Sequence, residues 1–255
     1  MAIFILLVSF LSFNILFITP VLATYPTPDI AHWDLSVSDE RNDADYKEAQ
    51  DLVEQKKLDA ALALLNKKIE ELPKEASPII LKAFVLNEKG LAKESLESLL
   101  IAFKMERQHP ALHFAFCQIH RKLGNADISY RACIIAAQQH HKNPLAHYEY
   151  SKTLMGMGNS MEALKELTYA ENLDPKNSSY PFEKGMIFLY QNNNDEAEKT
   201  FKKALSINNK NIEAAYQLAY LYATQDKDEL SKTYVNKVLN MGLKHPKVES
   251  AKLLR

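Results

Sequence analysis

The chain has 255 residues, of which 31 are basic and 32 acidic. So even a balance offers no broad cationic surface and excludes nucleic-acid binding through bulk electrostatics. Its six glycines fall far below the roughly 7% of an average chain, which suits an all-helical protein.

The N-terminus, MAIFILLVSFLSFNILFITPVLA, carries no charged side chain before Asp29. Residues 1–23 therefore read as a secretory signal peptide cleaved after Ala23, or as a retained membrane anchor. The apolar part, Ala2 to Ile18, reaches the ~17-residue lower limit for a membrane span. No cysteine follows it, which excludes a lipoprotein cleavage box, and no Lys or Arg precedes Arg41 to set an orientation. The expected location is exported, periplasmic or otherwise extracytoplasmic, with membrane contact only through this segment if it is uncleaved. Residues 24–41, with Pro26, Pro28 and Asp29, read as a linker. The sole tryptophan, Trp33, either belongs to that tether or folds back as a cap on the helices beyond it.

From Asn42 the sequence repeats every 34 residues, six times and without insertion, to His245. The clearest copy, LAHYEYSKTLMGMGNSMEALKELTYAENLDP, breaks at Gly156-Met157-Gly158-Asn159 and stops at Asp174-Pro175. Gly and Asn accept the left-handed conformation that ends a helix, and Pro cannot continue one. Each unit is thus a helical hairpin. One column is small throughout (Ala49, Ala83, Cys117, Ser151, Gly185, Ala219). A second is also small: Ala61, Ser95, Ser129, Ala163, Ala197, Ser231. Small residues recurring on both helices predict a tight crossing. A third column is bulky (Leu65, Leu99, Cys133, Leu167, Phe201, Val235) and a fourth is mostly alanine, with Lys68 departing in the first copy.

The period, the turn glycines Gly90, Gly124 and Gly158, and the closing Pro73 and Pro175 resemble the tetratricopeptide repeat family. The likeness covers about four-fifths of the chain, although the family's usual tryptophan is missing from every copy. It implies an all-α, right-handed superhelical solenoid of six hairpins over residues 42–245, with residues 246–255 as a C-terminal cap docked through Val248, Leu253 and Leu254. The first copy already carries the polar outer face of a terminal repeat, in Asp43, Asp45, Lys47 and Glu48.

The same likeness implies that first helices line a concave groove where ligands are held. The column expected there reads Tyr46, Ile80, Phe114, Tyr148, Phe182, Tyr216, and the next place adds Phe84, Met186 and Tyr220, with Gln50, Gln118 and Lys152 between. One turn further come Met155, Leu189 and Tyr190. Aromatic residues dominate binding hot spots. The column is thus either a ligand-facing stripe or packing between adjacent first helices. In the first case the partner is another protein, held through an extended or helical apolar or aromatic segment. The lysine and asparagine clamp that family members use on chaperone carboxylates is not supported, the corresponding places being mostly aromatic or glutamine.

In the third repeat His113, Cys117 and His120 share one helix face, and Cys133 lies opposite on the partner helix. Three readings stand: a Cys117–Cys133 disulfide, two buried free thiols, or a Cys2His2 metal site. The last would make the chain a metal- or small-ligand-binding module instead of a scaffold. No phosphate loop, paired-carboxylate signature or HExxH motif points to an enzyme or cofactor. The Glu- and Lys-rich second helices read as solvated faces. The triplet Asn177-Ser178-Ser179 matches a glycosylation acceptor by chance. The expected function is a non-enzymatic scaffold in the assembly or stabilisation of an envelope or secretory complex.

Overall fold

The structure, a computed structural model, describes residues 43–241 and 246–252. The signal or anchor segment, the linker with Trp33, and Leu253 and Leu254 lie outside the described residues. Thirteen α-helices and no strand occur among the described residues. Twelve pair into hairpins: α1 (Asp43–Glu54) with α2 (Leu58–Glu71), α3 (Ser77–Glu88) with α4 (Ala92–Met105), and α5 (Pro110–Lys122) with α6 (Ala126–Gln139). The remaining pairs are α7 (Pro144–Gly156) with α8 (Ser160–Leu173), α9 (Ser179–Tyr190) with α10 (Asn194–Ile207), and α11 (Ile212–Ala223) with α12 (Asp228–Met241). The short α13 (Pro246–Lys252) packs on α11 and α12 and buries Val248 and Ala251 in the last core.

Every first helix ends in the same way. One residue adopts positive φ at each 34-residue step: Lys56 (59°), Gly90 (82°), Gly124 (76°), Gly158 (79°), Asn192 (57°) and Asp226 (55°). The following N–H then reaches back to a carbonyl five residues earlier, as in Leu91 to Leu86 (2.9 Å), Asn159 to Leu154 (2.9 Å) and Asn193 to Phe188 (2.8 Å). This is the Schellman closure, which satisfies helix-end carbonyls and turns the chain sharply. Asparagine side chains then start several helices: Asn143, Asn159, Asn193 and Asn211 each accept a first-turn backbone N–H.

Within each hairpin the first and third columns meet at the helix crossing, and their sizes compensate. Ala49 shares a core cluster with Leu65, and Ala83 with Leu99, whereas Gly185 faces the larger Phe201; a Cβ on Gly185 would lie 2.5 Å from the Phe201 ring. In the third hairpin this crossing is Cys117 and Cys133, which form a disulfide with Cα atoms 4.8 Å apart and both side chains fully buried. Serines of the second column tie the crossing further. Ser95, Ser129 (2.8 Å) and Ser231 (2.9 Å) donate to the carbonyls of Ala83, Cys117 and Ala219.

Candidate functional site

Consecutive first helices touch one another, α3 with α5 and α5 with α7, which makes them the inner side of the curve. The predicted contact residues divide on this face. Tyr46, Phe84, Tyr148 and Phe182 are buried, at 2–6% exposure. Phe114, Met186 and Tyr216 are half-buried. Only Tyr220, at 48%, stands clear; Tyr190 on the preceding first helix is 76% exposed.

The buried members belong to the joints between hairpins or to the core of their own hairpin. Tyr148 packs edge-on against Tyr180 (5.5 Å) and donates its hydroxyl to Glu183 of the next first helix (3.1 Å). Phe182 packs on Phe201 (5.7 Å), and Phe84 on Phe114 (6.1 Å). Tyr216 lies under Lys247 of α13, whose Nζ is 4.5 Å from the ring centre. Tyr148 and Phe84 thus meet rings of the next hairpin, and Phe182 a ring of its own, before any of them meets solvent. The ligand-facing stripe is therefore corrected for Tyr46, Phe84, Tyr148 and Phe182, which are core.

The middle of the inner face holds a charged network not recognised in the sequence. Arg121 at the end of α5 reaches Glu149 on α7 at 2.7 Å, and Lys152 approaches the other Glu149 oxygen at 3.5 Å. The Lys152 ammonium also sits 4.6 Å over the Tyr148 ring. Lys122 donates to the backbone carbonyl of Asn87 on α3 (2.8 Å). The Glu149 side chain is only 3% exposed. Burial opposes its ionisation, but Lys152 and Arg121 outweigh that and push its carboxyl down to about 2. Glu183 moves the other way: burial and the nearby Glu149 charge raise it, against Lys152 and the Tyr148 hydroxyl. Burial, with both carboxylates, holds the Tyr148 phenol well above its ordinary range.

Two buried polar atoms here, Asn87 Oδ1 and Arg121 Nε, have no partner among the described residues. The network links four repeats through contacts 28 to 35 residues apart. The spacing of Glu149 and Glu183, one period apart, was the only sequence signal for it.

The metal reading of the third repeat does not survive. Both sulfurs are committed to the disulfide. His120 stacks on Phe116 (5.9 Å) and its Nδ1 lies 3.2 Å from Asn125, while burial lowers the pKa of both His113 and His120. Among the described residues no three His, Cys, Asp or Glu side chains gather as a metal site. Nor is a small-molecule pocket built at the N-terminal end of this face. The apolar cleft there, lined by Ala49, Val53, Phe84 and Val85, encloses about 20 Å³, room for about one water. Asn177 of the glycosylation-type triplet is occupied as a cap, accepting from Ser179 N–H at 3.0 Å.

No protein-family profile matches the chain, and no curated protein does. Solved structures do. A chain of the Cut9–Hcn1 hetero-tetramer of APC/C superposes with a TM-score of 0.69 at 14% identity over 81% of this chain. The present chain spans 40% of that protein. PilF of Pseudomonas aeruginosa matches at 0.66 with 12% identity, covering 84% of this chain and 97% of its own. YrrB, described as a TPR protein with an unusual peptide-binding site, matches at 0.54 with 19% identity over 74% of this chain and 97% of its own. The fold is that of a tetratricopeptide-repeat solenoid.

Proposed function

We propose that this chain is a non-enzymatic scaffold that holds a segment of another protein along the inner face of its first helices. The observation that carries this reading is the pair Tyr190 and Tyr220. They are 76% and 48% exposed on α9 and α11, the first helices of two successive hairpins, so packing leaves much of their surface uncovered. Half-buried Met186 and Leu189 lie with Tyr190 on α9 and extend the apolar character of this end. Tyrosine combines a large contact area with few rotors, which is why it anchors protein interfaces. The charged centre at Arg121, Lys122, Glu149 and Lys152 then sets the register of the bound segment, because any group crossing it must match fixed charges. The peptide-binding site named for YrrB is consistent with this use of the fold.

The apolar N-terminus supports a place outside the cytoplasm, held at the membrane only if that segment is retained. There the scaffold would assemble or stabilise an envelope or secretory complex. The test is partner capture from native membranes by in-cell cross-linking. Tyr190→Ala combined with Tyr220→Ala should cut recovery about tenfold or more, in line with the ~2 kcal/mol of a hot-spot residue, while thermal unfolding stays unchanged. Recovery equal to wild type overturns the inner-face reading. Alanine at Tyr148 or Phe182 is no substitute, since it tests folding.

A further inference from the structure

The outer surface carries a second feature that neither the packing nor the inner face uses. At one level of each second helix, adjacent residues point outward, and in four hairpins the pair is polar or mixed: Asn66-Lys67, Thr168-Tyr169, Lys202-Lys203 and Asn236-Lys237. In hairpins two and three it is Leu100-Ile101 and Ile134-Ile135. Leu100 and Ile101 are 47% and 54% exposed, and Ile134 and Ile135 half-buried. An apolar patch confined to the second helices of two successive hairpins marks an interaction surface.

The charges around the patch say what covers it. One turn before the doublet, α4 presents Glu97 and α6, at the same level, Arg131. One turn earlier again, α4 presents Lys93 and α6 Asp127. All four are exposed, and none makes an ion pair among the described residues of its own chain. At these two levels the outer faces of α4 and α6 are opposite in charge, around like apolar centres, whereas Glu94 and its exposed equivalent Ile128 do not share the pattern.

We infer that α4 and α6 form a self-complementary surface through which a second copy of this chain docks about a two-fold axis parallel to the two helices and midway between them. That axis sets each level of α4 against the same level of the partner's α6. Glu97 meets the partner's Arg131, Lys93 meets the partner's Asp127, and Leu100-Ile101 cover the partner's Ile134-Ile135. Each contact occurs twice, as an isologous interface requires. The inner faces of both copies stay open, so the dimer presents two grooves.

Sedimentation velocity on the full-length chain in mild detergent, which shields the apolar N-terminus, tests this by charge reversal. Wild type is expected to sediment as a dimer. Glu97→Arg replaces two attractive contacts with two repulsive ones and should raise the dissociation constant about tenfold or more. Arg131→Glu should do the same, and the double variant should restore the dimer. Because these side chains are exposed, circular dichroism and melting should be unchanged in all three. A monomeric wild type overturns the proposal. So does a dimer indifferent to either reversal, as association through the N-terminus would be, or a double variant no better than the singles.

Discussion

Replacing Gly185 with alanine sets helix propensity against packing. In an open helix the change would stabilise by about 1 kcal/mol, because glycine holds more backbone freedom when unfolded. Here the new methyl would lie 2.5, 2.7 and 2.9 Å from three atoms of the Phe201 ring, where carbon contacts normally settle at about 3.5–4 Å. The ring has little room to move: it is fully buried and packed on Phe182. Overpacking of this kind costs about 1–3 kcal/mol, and the upper part of that range applies to a confined ring. The net expectation for Gly185→Ala is a loss of about 1–2 kcal/mol after the propensity gain. Phe201→Leu alone should lose about 1 kcal/mol through the gap it leaves. Together they recreate the alanine–leucine crossing of the first two hairpins and should return within about 0.5 kcal/mol of wild type, a coupling near 2 kcal/mol. Urea unfolding followed by circular dichroism measures all four corners. A Gly185→Ala protein more stable than wild type by its full propensity gain would refute the tight crossing.

Other expectations rest on the turns, the charged network and the disulfide. Lys56 occupies the same left-handed position as Gly90, Gly124 and Gly158, so Lys56→Gly should raise stability by about 0.5–1 kcal/mol. Gly158→Ala should lower it by a similar amount, although nothing lies within 4 Å of its added methyl; thermal melts of the two variants should move in opposite directions. Glu149 ionises at about 2 in the fold against 4.5 ordinarily, so its depressed value stabilises the fold above pH 4.5 and that gain fades as pH falls towards 2. The full swing is on the order of 3 kcal/mol. The raised Glu183 acts oppositely, its contribution being lost as pH rises, and so blunts the slope. Glu149→Gln should flatten the acid limb and, by leaving Arg121 buried without its partner, destabilise by about 3 kcal/mol at neutral pH; denaturant midpoints against pH read both. Intact mass should rise by two hydrogens on unfolding in reductant, and Cys117→Ala with Cys133→Leu should fold but lose up to about 3 kcal/mol of loop-closure stabilisation.

The period made most of the fold legible. Columns 34 residues apart located every crossing, and three glycines marked turns that recur at Lys56, Asn192 and Asp226. Asparagine and aspartate favour a left-handed backbone only weakly beside glycine, and lysine not at all, so the turn at Lys56 was readable only by register. The aromatic column misled because recurrence has two causes. A residue repeated in every unit can serve packing as well as binding: Tyr148 is held against Tyr180 and Glu183 of the next hairpin, and Phe182 against Phe201 of its own. Tyr190 breaks the column pattern, its equivalents being Gly156 and Lys122, and a departure of that kind is the better sign of a surface put to use. The ion network escaped because Arg121, Glu149, Lys152 and Glu183 look individually like solvated helix charges. Only the approach of three successive first helices removes them from water.

The matched crossings make the hairpin, and not the helix, the interchangeable part. Each hairpin carries both halves of its own fit: glycine with phenylalanine in the fifth, alanine with leucine in the second. Moving a whole hairpin to another position keeps that fit intact. Grafting α10 alone onto α3 would instead press Phe201 onto Ala83, while α4 against α9 would leave a hollow beside Gly185. Duplication and shuffling of such a chain are therefore tolerated in steps of 34 residues and resisted at half that length, which is one physical route to an array that repeats six times without an insertion.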